Sequence, residues 1–276
     1  MIALSMQDVS LKYNGKPVIE HLKWQVEAGR IYSIIGPNGC GKSTLLKAIA
    51  RQLKCSGGSV LVDGKQLDSF SPRQLARRLA MLAQSQDPVP DMSVRTLVGY
   101  GRFPHKPAWS PMRKEDEAII DWALTQTGTM KFAERKLSAL SGGERQKVWI
   151  AMALAQQPDV LLLDEPTTYL DIQHQLEIME LVASLNRLHK VTIIMVLHDM
   201  NHAAVYSDEL AVMRKGKIYA QGKPEDTLTE QMLADVFGVR AQLSRHPESG
   251  RPVCLVTGVI GPSTGSESDE AIRAGS

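Results

Sequence analysis

Cysteine is scarce in this chain. Three residues of 276, Cys40, Cys55 and Cys254, stand at spacings that form neither a metal-ligand pattern nor a disulfide framework. That scarcity suits a reducing compartment, so cytoplasm is the expected location. Long apolar runs are missing as well. Residues 160–163 and 191–197 are apolar stretches, the second broken only by Thr192, but a membrane-spanning helix needs ~20 such residues. Residues 1–8 show no basic stretch leading into an apolar core, and no secretory signal is expected there. An excess of one charge is also absent. Thirty-two basic and 30 acidic residues leave a net charge of +2, which gives no electrostatic case for nucleic acid as the main partner. What remains is 43% apolar, enough to bury the core of a globular protein.

The stretch that is present and informative is GPNGCGKS, residues 36–43. It fits the phosphate-loop pattern GxxxxGK[ST] at every fixed position. RIYSII (30–35) before it reads as a short buried strand, and TLLKAIAR (44–51) after it as the opening of a helix. A strand feeding a helix through glycines aims backbone N–H groups and the positive end of a helix dipole at one point. Gly36, Gly39 and Gly41 allow close approach of the backbone to phosphates. Lys42 is then placed on the β and γ oxygens, and the Ser43 hydroxyl can ligate Mg²⁺. Cys40 sits inside this loop, where the helix N-terminus and Lys42 are expected to favour its thiolate.

Elsewhere the patterns order themselves along the chain. Residues 2–26 read as antiparallel strands around the Asn14-Gly15 turn, with Tyr13 at the hairpin end. Residues 59–62 form a further strand closed by Asp63-Gly64. Ser71, Pro72 and Gln74 compose a capping box with proline in the first turn, predicting a helix to about Arg78. A buried strand over 79–83 ends on Gln84. From 87 to 111 the composition turns to proline, glycine and isolated aromatics, which marks loops, short helices and a subdomain boundary. A helix is predicted over 113–127. Ser141 and Glu144 form a second capping box, starting a helix that runs to Gln157. With Gly142 and Gly143 at its start, that helix offers free N–H groups, a ready anion site.

The run 160–163 is all apolar and reads as a central parallel strand. It delivers Asp164 and Glu165 to its C-terminal end, where open α/β sheets bind ligands. Pro166 biases Glu165 towards extended geometry. A helix over 172–189 leads to a buried strand over 191–197, which ends on His198, with Asp199 as a cap for the next helix. Residues 209–214 and 217–221 pair as a final hairpin. The tail from Gly261 is small, polar and expected to be disordered.

Taken in order, these features resemble the ATP-binding cassette (ABC) ATPases, from residue 2 to about 238. By match of motif, Tyr13 resembles the adenine-stacking aromatic. Gly36, Pro37, Asn38, Gly39, Cys40, Gly41, Lys42, Ser43 and Thr44 resemble Walker A. Gln84 is similar to the Q-loop glutamine, and LSGGERQ (140–146), with Ser141, Gly142 and Gly143, to the signature. Asp164-Glu165 looks like the end of Walker B, 169–171 like the D-loop, and His198 like the switch histidine. LSGGERQ between two Walker motifs is highly specific. The stretches GRFPH (101–105), EPTTYLDIQHQLE (165–177) and MVLHDMNHA (195–203) are most similar to importer ATPases for iron chelates such as ferric siderophores, with haem and cobalamin importers as close relatives.

The resemblance implies an α/β P-loop NTPase with a RecA-like core, a mixed central sheet, an N-terminal antiparallel β subdomain and a helical subdomain. Residues 1–260 would form one cassette, with core 1–90 and 159–260 and helical part 91–158. It further implies ATP hydrolysis with Mg²⁺ held by Ser43, Gln84 and Asp164, and Glu165, His198, Lys42 and Gln84 as catalytic groups. The implied partners are a second copy of the chain, arranged head to tail, a membrane permease and, indirectly, a substrate-binding protein. The implied place is the cytoplasmic side of the cell membrane. A DNA-acting ABC ATPase would carry long heptad coiled coils, and no such insert separates Thr44 from Leu140. A translation-type factor would carry two cassettes, and one is present.

Overall fold

The computed structural model describes residues 2–84, 91–107 and 110–260. The expected disordered tail from Gly261, and parts of the 87–111 stretch, lie outside the described residues.

A hairpin opens the chain, β1 (Ile2–Tyr13) and β2 (Lys16–Glu27), around Asn14-Gly15. Both turn residues take positive φ, as a tight hairpin of this length requires. Then come β3 (Ile31–Ile35), α1 (Lys42–Ile49), β4 (Gly57–Val62) and β5 (Lys65–Gln66). β2-β1-β4-β5 form one antiparallel sheet. Next are α2 (Pro72–Arg78) and β6 (Leu79–Leu82), then three helices, α3 (Val94–Tyr100), α4 (Lys114–Gln126) and α5 (Gly142–Ala155). The remainder includes β7 (Val160–Asp164), α6 (Ile172–His189), β8 (Thr192–Val196), α7 (Met200–Tyr206), β9 (Glu209–Arg214), β10 (Lys217–Gly222), β11 (Val239–Arg245) and β12 (Pro252–Val259), with short helical turns between β10 and β11.

The central sheet runs β10-β9-β3-β8-β7-β6, parallel except for the antiparallel edge strand β10. Every residue of β3, β7 and β8 is buried. This follows from their sequences, which are apolar apart from Ser33, Asp164 and Thr192 and do not alternate, because helices or a second sheet cover both faces. One face packs on the antiparallel sheet and α1, the other on α5, α6 and the helices joined to them, giving two apolar clusters on either side of the sheet.

Both capping boxes form. Ser71 accepts from the Gln74 N–H while Gln74 Oε1 accepts from the Ser71 N–H at 2.8 Å, and Ser141 and Glu144 repeat the pattern at the head of α5. The hairpin β9–β10 is not the last one, contrary to the sequence reading. β11 and β12 form a further antiparallel pair after it, and β12 is tied to α7 through Asn201, which receives the Cys254 N–H at 2.8 Å and donates to the Cys254 carbonyl at 3.2 Å. The GRFPH stretch also has a structural task. Arg102 is buried, with Nε 3.0 Å from Asp116 Oδ1 on α4 and Nη1 2.8 Å from the Ala155 carbonyl at the end of α5. One guanidinium thus ties the segment that follows α3 to both α4 and α5.

Candidate nucleotide site

The parallel strands β3, β8 and β7 lie side by side in register, Ile34 beside Val196 and Val196 beside Asp164. Their C-terminal ends therefore deliver Gly36, His198 and the Asp164-Glu165 pair to one edge of the sheet. That edge is where the connections of an open parallel sheet part and leave a crevice.

The phosphate loop is held by its own sequence. Gly36 has φ 154°, and a Cβ there would lie 2.3 Å from the Met213 carbonyl oxygen, so no other residue fits without moving β9. Gly41, at φ 108°, is the N-cap of α1, whose first-turn N–H groups face the loop. Lys42 is buried, and its Nζ donates to the carbonyls of Gly36 (2.8 Å) and Pro37 (3.1 Å). Those two carbonyls give the buried ammonium group the acceptors it would otherwise lack. Pro37 is half-buried, Asn38 and Gly39 are exposed, and Thr44 is half-buried on the first turn of α1.

Cys40 departs from the expectation. Its side chain is buried at 5% exposure, and burial pushes the thiol up, with the Lys42 charge and backbone hydrogen bonds only partly offsetting that. The loop does not activate this thiol. Maleimide labelling of Cys40 is accordingly expected to be slow at neutral pH and to accelerate as pH rises towards the elevated thiol value. Labelling as fast as that of a free thiol at pH 7, read by mass spectrometry of the 36–43 peptide, would contradict this.

Ser43 Oγ donates to Asp164 Oδ1 at 3.0 Å. Asp164 is 4% exposed, and burial raises its carboxyl, a tendency that the Ser43 hydrogen bond opposes. Glu165 is the convergence point. Its Oε1 lies 2.6 Å from His198 Nε2, while Oε2 accepts from Gln84 Nε2 (2.5 Å) and Thr168 Oγ1 (3.1 Å). The sequence reading brought Glu165, His198 and Gln84 to one place, and the structure unites them around one carboxylate. It missed Thr168, whose position three residues after Glu165 was the available signal. The expected extended geometry at Glu165 is also wrong. Its φ is 51°, left-handed, because the chain must reverse from β7 while its N–H stays bonded to the Val196 carbonyl of the neighbouring strand. A non-glycine residue in that region costs of order 1 kcal/mol or more, and such strain concentrates at functional sites.

Tyr13 is 48% exposed at the hairpin end, with Lys47 Nζ from α1 5.9 Å from its ring centre. The ring thus has a free face. Ser141 and Gly142 are exposed at the head of α5, whereas Gly143 is buried. Among the described residues no hydrogen bond or ion pair joins the Ser141 turn to the phosphate loop.

The family described as ABC transporter matches residues 19–168, which hold both the phosphate loop and the Asp164-Glu165 edge. The chain belongs to the ABC transporter family. The cassette is 43% identical over 94% of its length to the iron(3+)-hydroxamate import ATP-binding protein FhuC of Bacillus subtilis, covering 97% of that protein. It is 46% identical over 89% of its length to the petrobactin import ATP-binding protein FpuC of Bacillus anthracis, covering 90% of it. Among solved structures it superimposes, with a TM-score of 0.69 and 26% identity, on a dimeric ATP-binding cassette in a post-hydrolysis state bound to ADP and Pi, covering 80% of this chain and 98% of that one. The cassette binds ATP and is an ATPase.

Proposed function

We propose that this cassette is the ATP-hydrolysing subunit of an importer for a ferric chelate of the siderophore type, seated on the cytoplasmic side of a membrane against a separate permease. The observation that carries the reading is the similarity over nearly the whole chain to ATP-binding proteins named for iron(3+)-hydroxamate and petrobactin import. Among the described residues no helix is long and apolar enough to cross a membrane, so the translocation path belongs to the partner. The exposed pair Tyr100 and Phe103, with ring centres 4.9 Å apart, offers that partner an aromatic surface. On this reading residues 1–90 and 159–260 are the core, and the helical part, 91–158, carries this aromatic pair.

Each residue has a task that follows from charge. Hydrolysis builds negative charge around the γ-phosphoryl group, so catalysis is mostly positioning and electrostatics. Gly36, Pro37, Asn38, Gly39, Cys40, Gly41, Lys42, Ser43 and Thr44 cradle the phosphates, and Tyr13 stacks on the base. Glu165 orients the attacking water and takes its proton. His198 contacts the γ-phosphate and holds one oxygen of Glu165, while Gln84 and Thr168 hold the other. The hydroxyl of Ser43, the carboxylate of Asp164 and the amide oxygen of Gln84 are hard oxygen donors, and Ser43 and Asp164 already stand within 3.0 Å of each other. That donor set fits Mg²⁺. The ion, when bound, neutralises phosphate charge.

The exposed head of α5 is the second half of the site. Two copies pack head to tail, with Ser141, Gly142 and Gly143 of one closing on the nucleotide held by Lys42 of the other, so ATP joins them and hydrolysis releases them. The test is to mix Lys42→Ala chains with Ser141→Arg chains. Each is expected to be inactive alone, and the mixture to recover activity, because a mixed dimer holds one site damaged twice and one intact. No recovery, with mixed dimers shown to form and one intact site shown to suffice, would refute the shared site. Transport of the ferric chelate is tested by reconstituting the chain with its permease and measuring ATP-driven uptake of labelled ferric hydroxamate into vesicles. Absence of uptake under those conditions, with uptake of a different chelate, would reassign the cargo.

A further inference from the structure

The head of α5 and the start of α6 are joined by contacts that the nucleotide site does not use. Gly143 is buried, and a Cβ built there would lie 2.0 Å from Cδ2, 2.5 Å from Cγ and 2.9 Å from Nε2 of His174. The imidazole therefore sits directly on the first turn of α5. Its orientation is fixed from behind, since Nδ1 is 2.7 Å from Asp171 Oδ1 and the same oxygen accepts the His174 N–H at 2.9 Å as the N-cap of α6. One turn further along both helices, Lys147 Nζ lies 2.6 Å from Glu177 Oε2. On the near side of the ring, a Cβ at Gly142 would rest against Leu170 at an ordinary 3.8 Å. The seam therefore runs through Leu170, His174 and Glu177 on one side and Gly142, Gly143 and Lys147 on the other.

We infer that His174 is a positioning residue that spaces the Ser141 turn from the loop 169–171, and that Gly143 is glycine because the His174 ring occupies the place of its side chain. The missing Cβ of Gly143 points into α6 of its own chain. A requirement for glycine here would otherwise be credited to the nucleotide. Because the His174 ring and the Lys147–Glu177 pair hold the two helices together, a displacement of α6 carries the Ser141 turn with it. The consequence for ATP turnover rests on the shared-site reading above. The steric relation between residues 143 and 174 does not.

The experiment is a double-mutant cycle on the full chain with Gly143→Ala, His174→Ala and the pair. Gly143→Ala is expected to lower kcat at least ~10-fold through the clash, since a contact near 2.0 Å must displace either the ring or the helix head. His174→Ala should lower kcat a few-fold, with fluorescent ATP bound by the isolated chain as tightly as by wild type, because the phosphate loop is untouched. A merely structural role would change the melting temperature and both kinetic constants together. The pair should recover to within about three-fold of His174→Ala, since removing the ring opens room for the methyl group. If the pair is as impaired as Gly143→Ala, the inference is overturned. Should Gly143→Ala fail to fold, soluble yield and melting temperature replace kcat, and recovery by His174→Ala decides in the same way. The two readings separate cleanly: rescue within one chain with no recovery on mixing removes the shared site and keeps the contact. Recovery on mixing without rescue does the reverse.

Discussion

Glu165→Gln is expected to bind ATP as wild type does and to turn it over ~10² to 10⁴ times more slowly, the loss typical of a missing general base. The substitution is nearly isosteric. A glutamine at 165 can still meet Gln84 and Thr168, which hold Oε2 at 2.5 and 3.1 Å, so the loop should keep its shape. What it cannot do is accept a proton from water. It also removes the charge that His198 Nε2 approaches at 2.6 Å, and a hydrogen bond to an ionised partner is roughly twice as strong as a neutral one. The left-handed φ of 51° at this position matters for the choice of variant. Proline or a β-branched residue there would perturb the backbone, whereas Gln changes only the proton chemistry. The measurement is steady-state phosphate release at saturating Mg-ATP beside equilibrium nucleotide binding. Turnover at the wild-type rate would remove Glu165 from the role of base.

The largest effect on stability is expected from Asp116→Ala. Arg102 and Asp116 have side chains 6% and 7% exposed with Nε and Oδ1 3.0 Å apart, and removing one partner of a buried pair leaves the other charge stranded, at a cost of about 3–5 kcal/mol. Arg102 would keep its bonds to the Ala155 carbonyl and Gln157 Oε1, so the lower half of that range is expected. The same pair sets an acid limit. Burial tends to raise the Asp116 carboxyl, but the Arg102 hydrogen bond, the Arg113 N–H and the nearby cations outweigh it and hold it below the usual aspartate value. A carboxyl depressed in the folded state contributes stability above its unfolded pKa, which is lost as pH falls through the folded one. Wild type should therefore lose stability below about pH 4, the ordinary aspartate range, and Asp116→Ala should show a shallower dependence there. Denaturant unfolding between pH 3 and 7 reads both. Equal acid dependence in the two proteins would mean that the pair carries no such linkage.

Much of the site was legible because its chemistry lies in contiguous or periodic sequence. The phosphate loop, both capping boxes, and the helix over 172–189, which matches α6 residue for residue, are local statements made by neighbouring residues. Four features were not. The reversal at Glu165 is imposed by the Val196 carbonyl on an adjacent strand, and the proline after it argues for the opposite geometry. The elevated thiol of Cys40 comes from burial within the apolar cluster beside the sheet, which no local pattern encodes. The hairpin β11–β12 is weakly alternating, with Leu255, Val256 and Val259 exposed and only Ala241 and Pro252 fully buried, so it lacks the continuous buried face that makes a strand readable. The contact of Gly143 with His174 joins two segments whose sequences each have a sufficient local explanation, one as a capped helix and one as a helix opening, and neither asks for the other.

The register of the central sheet has a consequence for how such a molecule can diversify. Ile34, Val196 and Asp164 stand abreast on three hydrogen-bonded strands, and a shift of one residue in any of them would turn its side chains to the opposite face. The distances that matter for hydrolysis are measured across the strands. The chain leaves the sheet after β6 and returns in β7, its immediate neighbour, so everything between is an excursion whose two ends are pinned together. Residues can be added to or taken from that excursion without changing the ruler. Gln84 and the Ser141 turn at the head of α5 stay tied to the site, but the residues between them can be remade to hold a new docking partner while the strand-borne groups keep their spacing.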